Sequence, residues 1–238
     1  MEGMRRYFLT MAVMGLAIST WAVDLPKQGL GMHIGWAQPI LRLNRPDNPA
    51  NAKDSLTNTV ELNGFKVGVV YDASYAAGFG SSMGINYTFG AASSPWEKKN
   101  TSFEERSQTI YQEVEVFVDW QYKFEVAKET YLMLYSGPTI QCGLALNTDM
   151  YERNKVTDKV SSVNTRRYDT DKADEQLQRI NVTWGIGGGF QYKQYFLRGG
   201  YDFGLVNPYT NRDFVNGNHT RGRLDQWSIK IGMYFWYK

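Results

Sequence analysis

The sequence predicts an all-β fold, an eight-stranded antiparallel up-and-down transmembrane β-barrel, from three observations. Apolar residues recur at every second position over segments of about 9 to 13 residues, which is long enough for a tilted strand to cross a bilayer. The composition combines 15% aromatic residues and 23 glycines with a mean hydropathy of −0.46, which is typical of strands that alternate between lipid and water. Short connections between the segments alternate with long polar ones, as in an up-and-down barrel.

Eight segments carry this alternation. They are residues 29–37, 62–74, 78–90, 113–124, 130–144, 180–192, 197–205 and 227–237. The fourth is the clearest, because valine and aromatic residues alternate with charged and polar ones along its whole length. The fifth is interrupted by Gly137-Pro138, and since proline cannot donate a ladder hydrogen bond, we expect a β-bulge there.

The connections between the segments predict how the strands are joined. Short links are expected near residues 75–76, 125–129 and 193–194, and long polar links at about 38–61, 91–109, 147–179 and 207–225. This plan places both chain ends on the side of the short turns. We expect the sheet to close into a barrel, because each unpaired backbone group at a strand edge in lipid costs several kcal/mol.

The two faces of the strands predict which side meets lipid. In a membrane the aliphatic and aromatic face points outward, and the small and polar face lines the lumen. Aromatic residues near the strand ends are expected to form two interface girdles. They are Tyr87, Phe89, Trp184 and Trp227 toward the long loops, and Phe79, Phe124, Phe190, Phe235 and Tyr237 toward the short turns.

The N-terminus has the three parts of a secretory signal peptide. Arg5-Arg6 precede an apolar stretch at 8–18, and Thr20-Trp21-Ala22 forms a small-x-small cleavage site. We therefore expect cleavage between Ala22 and Val23, which gives a signal peptide at 1–22 and a barrel domain at 23–238. The apolar stretch is too short for a spanning helix of roughly 20 residues.

The charge and cysteine content argue against a nucleic-acid partner, a disulfide and a cysteine metal site. The formal net charge is +2, and the 26 basic and 24 acidic residues are interspersed, so we do not expect nucleic acid as a partner. Cys142 is the only cysteine, which leaves no intrachain disulfide and no cysteine metal cluster. We expect no cofactor.

Two features resemble parts of active sites but have simpler explanations. The run Gly185-Ile186-Gly187-Gly188-Gly189 lacks the Lys-Ser/Thr of a phosphate-binding loop, and inward glycines in a narrow barrel leave room for large side chains opposite. His33 faces inward on the first segment, whereas His219 lies in the last long loop. Nothing in their spacing brings a nucleophile and a base within hydrogen-bond reach, so we do not expect an enzyme.

Charged residues on the lumen face form the main candidate site. They are Lys66, Asp72, Glu113, Glu115, Asp119, Arg198, Asp202 and Lys230. An eight-stranded barrel is only wide enough to be filled by side chains, and buried charges must be paired. We therefore expect a salt-bridged polar plug, with a gated ion path as the alternative. If the short turns are periplasmic, Asp202 should lie toward the middle and inner half.

A second candidate site lies in the last long loop. It consists of Tyr209, Phe214, Arg221 and Arg223, which would contact lipopolysaccharide phosphates or a protein partner. Loops on a rigid scaffold are where binding residues concentrate.

Four stretches resemble the PorT-like outer-membrane β-barrel family of Gram-negative bacteria. They are NGFKVG at 63–68, YSGP at 135–138, WGIGGGF at 184–190 and RGGYDFGL at 198–205, and the resemblance spans about residues 29–237. It implies an eight-stranded barrel in the outer membrane, with short turns periplasmic and long loops extracellular. The family's namesake serves protein secretion and gliding-type machinery.

The expected function is a structural or binding role through extracellular loops, with an envelope or secretion complex as the expected setting. Outer-membrane lipid, lipopolysaccharide and an envelope protein are the expected partners. One alternative is a soluble lipocalin-like barrel that holds a small apolar ligand, which would require an apolar interior. A lipid-modifying barrel enzyme is the third candidate.

Overall fold

A computed structural model describes residues 28–46, 55–169, 176–209 and 221–237. Its strands are β1 (Gln28–Pro46), β2 (Ser55–Glu61), β3 (Asn63–Ala76), β4 (Phe79–Ser93), β5 (Glu97–Lys98), β6 (Phe103–Ala127), β7 (Thr130–Asn154), β8 (Val160–Arg166), β9 (Ile180–Tyr192), β10 (Tyr195–Gly204) and β11 (Arg221–Tyr237). None of the described segments forms a helix that is long and apolar enough to cross a membrane. The expected signal peptide, including the cleavage site at Ala22 and Val23, lies outside the described residues.

Eight of these strands form a closed antiparallel ring. Its order is β1, β3, β4, β6, β7, β9, β10 and β11, and β11 pairs back with β1. The closing register runs from Gly29 opposite Tyr237 to Asn44 opposite Arg221. Because the ring closes, its strands have no unpaired edge. The predicted eight-stranded up-and-down barrel is confirmed.

Three additional strands extend the wall on the side of the long connections. β2 pairs with β1, β5 with β6, and β8 with β7, while β6 and β7 each run for 25 residues. A bilayer crossing needs only about 9 to 11 residues. The predicted long connections are therefore wrong over much of their length. Beyond the lipid neither face of a strand has to be apolar, so the strand continues while its period-two pattern fades.

The turns on the opposite side are tight. At Ala77 and Gly78 φ is +49° and +88°, and positive φ at both central residues is the signature of a type I′ hairpin. The other two-residue turns are Lys128-Glu129 and Lys193-Gln194. Two of the three fall where they were expected, and the first lies two residues later.

The proline in β7 does not produce the bulge we expected. Phe117 pairs with Thr139 and Trp120 with Ser136, so the register is identical on both sides of Gly137-Pro138. The proline interrupts the pairing with β6, because it has no N–H to donate, but no residue is inserted. The predicted bulge is wrong.

The apolar side chains of the barrel point outward and its polar side chains point inward, which is the reverse of a soluble protein. Ile34, Ile186 and Ile231 are 57–61% exposed on the outside, whereas Lys66 and Glu113 are fully buried inside. Six of the expected girdle aromatics are exposed, namely Phe79, Phe124, Trp184, Phe190, Trp227 and Phe235. Tyr87 and Phe89 are partly covered, and the side chain of Tyr237 is not described. This distribution contradicts the lipocalin-like alternative, which needs an apolar interior.

Candidate functional site: the filled lumen and its rim

An ion network fills the lumen on the side of the short turns. Arg198 donates from Nη2 to both carboxylate oxygens of Asp72, at 2.8 and 3.0 Å. Lys123 Nζ lies 3.1 Å from the same carboxylate, and the Tyr234 hydroxyl donates to it as well. Asp72 thus holds two cations and a phenol from three other strands, in what we call the Asp72 network.

Neutral side chains complete the Asp72 network. Arg198 donates to Ser82 Oγ at 2.7 Å and to Gln121 Oε1 at 3.3 Å. Lys123 donates to Gln191 Oε1 at 3.0 Å. All five side chains are buried. Both Nη atoms of Arg198 are hydrogen-bonded, while its buried Nε has no hydrogen-bond partner among the described residues. Buried charges are tolerated when they are paired and most of their polar atoms are hydrogen-bonded.

A second network, the Glu115 network, lies farther toward the long connections. Lys66 Nζ donates to Glu115 Oε1 at 2.6 Å, and Asn86 Nδ2 donates to the same oxygen at 2.5 Å. Because Asn86 presents its amide oxygen to His33 Nε2 at 2.8 Å, the imidazole is the donor there. His33 is therefore a structural side chain of the lumen, while His219 lies outside the described residues.

Glu113 lies between the Glu115 network and the barrel mouth. It accepts a hydrogen bond from the Tyr111 hydroxyl at 2.5 Å and one from Gln226 Nε2 at 2.6 Å. Its carboxylate is thus held by neutral donors from its own strand and from β11.

A small cavity separates the two networks. Its walls include Glu115, Asp119, Asp202, Lys230 and Phe117, and its volume of about 20 Å³ leaves room for about one water molecule. Lys230 Nζ lies 5.5 Å from the centre of the Phe117 ring. Asp202 shares this cavity with Glu115, Asp119 and Lys230, which places it between the two networks in the middle part of the lumen.

An apolar cluster closes the lumen above the Glu115 network. This apolar cap consists of Leu41, Leu62, Tyr111, Leu146, Tyr168, Leu177, Tyr209 and Leu224. Two long connections contribute to it, because Leu177 and Tyr209 pair with each other in an isolated bridge. The cavity at the cap has a volume of only about 10 Å³. Ion networks and cap together fill much of the described lumen, which weakens the gated-path alternative.

The glycine run of β9 makes room for a lumen aromatic. A side chain at Gly187 would begin 2.3 Å from the Tyr135 ring, and one at Gly200 would begin 2.8 Å from its hydroxyl. Gly187 and Gly200 pair across β9 and β10, so the Tyr135 ring lies over two glycines. This arrangement confirms the packing explanation for these glycines.

The second candidate site is only partly assembled. Tyr209 is 5% exposed in the apolar cap, so the expectation that it contacts a partner is wrong; an isolated bridge and the cap hold it inward. Arg223 lies on β11, where it forms an ion pair with Asp225 at 2.8 Å. Arg221 is described only in its backbone, opposite Asn44, and Phe214 lies outside the described residues.

The strand extensions carry partly exposed ion pairs. Glu104 on β6 pairs with Arg153 at 2.5 Å and with Lys155 at 2.9 Å. Hydrogen bonds from these two side chains hold the pKa of Glu104 below its ordinary value. Ion pairs near the surface stabilise little, but these two tie the upper ends of β6 and β7 together.

No metal-binding geometry is found in the described part of the chain, where no group of three or more His, Cys, Asp or Glu side chains could hold an ion. Cys142 is a free, exposed thiol on β7.

Comparison with known proteins gives fold-level likenesses only. No family model matches the chain, and no curated protein matches it. Among solved structures, Ail, the attachment invasion locus protein of Yersinia pestis, is 11% identical with a TM-score of 0.38, over 87% of this chain and 99% of that chain. Neisserial surface protein A is 13% identical with a TM-score of 0.37, over 87% of this chain and 97% of that chain. The barrel assignment rests on the strand pairing described above.

Proposed function

We propose that this protein is a non-enzymatic barrel of a Gram-negative outer membrane that binds partners through its extracellular strand extensions. One observation carries the proposal: charged side chains fill the lumen and an apolar cap closes it, while apolar side chains cover the outside. Such an exterior is stable in lipid, and a filled lumen leaves the surface beyond the lipid as the place for function.

The hairpin formed by the end of β7 and by β8 is the best-exposed part of that surface. Val156 in its turn is 83% exposed, and Val160 and Val163 on β8 are also exposed. Among the described strands β8 pairs only with β7. Its other edge therefore offers main-chain donors and acceptors for strand addition by an envelope protein.

The resemblance to the PorT-like family supports the same location. The similar stretches NGFKVG, WGIGGGF and RGGYDFGL lie on the ring strands β3, β9 and β10, with only Leu205 beyond the end of β10. The resemblance is therefore carried by the part of the chain that would cross the membrane. Membership in that family would place the protein within a larger envelope or secretion complex.

An enzymatic role has less support from the described residues. Nucleophilic catalysis requires a nucleophile and a base within hydrogen-bond reach. His33 instead hydrogen-bonds to the amide of Asn86, deep in the lumen.

Thiol labelling of intact cells tests both the location and the orientation. In a Cys142→Ser background, Thr157→Cys places a thiol in the β7–β8 turn and Gln194→Cys places one in a short turn. A membrane-impermeant maleimide should label the first variant on intact cells, and the second only after the outer membrane is permeabilised. If only Gln194→Cys were labelled on intact cells, the orientation would be the opposite of the one proposed. If both variants were labelled equally, and only after cell lysis, the surface location would be contradicted.

A further inference from the structure

A shallow, open groove with a volume of about 560 Å³ runs over the outside of β9, β10 and β11. Its floor is at Gly199, which pairs with Gly188 on the neighbouring strand. Both glycines occupy outward positions, where the adjacent Leu197 and Ile186 are exposed. Because neither glycine has a side chain, the outer surface forms a notch at this point.

Packing does not require a glycine at Gly199. A Cβ atom there would meet nothing closer than 3.8 Å, in contrast to the inward Gly187, where it would lie 2.3 Å from a ring. The notch is thus open space on the lipid-facing side. It has the shape to accept a chain that lies along the barrel.

Aromatic rings form the wall of the groove toward the long connections. Tyr201 packs edge-on against Phe203 and against Trp227, each with ring centres 4.6 Å apart. Aromatic rings of this kind are enriched where hydrocarbon meets the polar headgroups. The three rings therefore mark the level at which a bound lipid would change from chain to headgroup.

Arg42 lines the upper end of the groove, and Arg223 shares a carboxylate with it. Arg42 Nε lies 3.3 Å from Asp225 Oδ2, and Arg223 donates to the same oxygen at 2.9 Å through Nε. Asp225 is fully buried beneath them, while the side chains of Arg42 and Arg223 remain 49% and 44% exposed. One carboxylate thus fixes two guanidinium groups and leaves a net positive charge, which suits a phosphate.

We propose that this groove binds a phosphorylated glycolipid of the outer leaflet, with an acyl chain over Gly199 and a phosphate at Arg42 and Arg223. The order of cations, aromatic rings and apolar notch along the barrel wall matches the order of phosphate, interface and acyl chain in such a lipid. This inference rests on the proposed membrane location and names a lipid partner for it.

The test is a titration of the purified, detergent-folded barrel with lipid A, followed by native mass spectrometry. Gly199→Leu fills the notch, and Arg42→Gln removes one cation while Arg223 keeps Asp225 paired. Each should weaken lipid A binding about tenfold, as expected for a lost charge-assisted contact or a blocked apolar site. The matched controls Val118→Leu, at another exposed outward position, and Arg106→Gln, which hydrogen-bonds to Ser93, should bind as the unchanged protein does.

Two ligand controls identify the source of the contact. Dephosphorylated lipid A should bind the unchanged protein about as weakly as intact lipid A binds Arg42→Gln, and inorganic phosphate should not compete. The lipid proposal is overturned if Gly199→Leu binds normally, or if phosphate alone displaces the lipid. Each variant's gel shift on heating is measured in parallel, so a failed lipid site in a properly folded barrel leaves the membrane proposal standing.

Discussion

Replacing Asp72 by alanine is expected to destabilise the barrel by about 3–5 kcal/mol, the cost of breaking a buried ion pair by removing one partner. The substitution leaves Arg198 and Lys123, both buried, without the carboxylate that neutralises them. It also removes the acceptor of the Tyr234 hydroxyl. Urea unfolding of the barrel in lipid vesicles, followed by tryptophan fluorescence, measures the loss.

The matched control for Asp72 is an ion pair in water. Glu105 on the β6 extension pairs with Lys99 at 3.5 Å, and both side chains are about half exposed. Glu105→Ala should leave the unfolding midpoint unchanged, because exposed pairs contribute little. If Asp72→Ala shifted the midpoint no more than Glu105→Ala, the Asp72 network would not be a stabilising plug.

The second large effect is expected from the glycines of β9 and β10. Gly187→Val should cost about 1–3 kcal/mol, typical of overpacking a filled interior, because its side chain would collide with the Tyr135 ring. Gly199→Val introduces the same atoms on the neighbouring strand but points outward into open space. The same urea titration compares the two variants.

The comparison of these two valines tests the assignment of faces directly. A large loss for Gly187→Val with little change for Gly199→Val is the expected pattern. Equal losses of stability at both positions would contradict the assignment of Gly187 to the lumen face and of Gly199 to the outer face.

The barrel itself could be predicted from the sequence because lipid imposes a pattern on it. Wherever a strand has hydrocarbon on one side, every second residue must be apolar, as in the alternation of Val114, Val116 and Val118 with Glu113 and Glu115. That constraint ends at the membrane surface. The upper halves of β6 and β7 are strands with polar residues on both faces. Because they lack the alternation, the sequence predicts loops there.

The residues of the lumen plug could be chosen from the sequence, but their partners could not. Alternation places Asp72 and Arg198 on the inner face, yet they are 126 positions apart and meet across the barrel. Their contact depends on the stagger of the strands around the ring, which period two does not encode. The same stagger brings Asp202 and Asp119 to one cavity with Glu115 and Lys230.

Two features of the site could not be predicted from local sequence patterns. Lys123 faces inward by alternation, but nothing local indicated that it joins Arg198 on one carboxylate. The apolar cap draws Leu177 and Tyr209 from polar connections without periodicity. The isolated apolar residues of those connections are the one hint that part of a long loop folds into the mouth.

The most direct test of a closed barrel in the membrane is heat-modifiability of the detergent-extracted membrane fraction, compared on cold and boiled gels. A closed β-barrel in lipid predicts a membrane-resident band that changes its migration on boiling, because the ring of eight strands resists detergent until it is heated. A protein found in the soluble periplasmic fraction, with the same migration before and after boiling, would contradict the membrane location and the assignment of the apolar face to lipid.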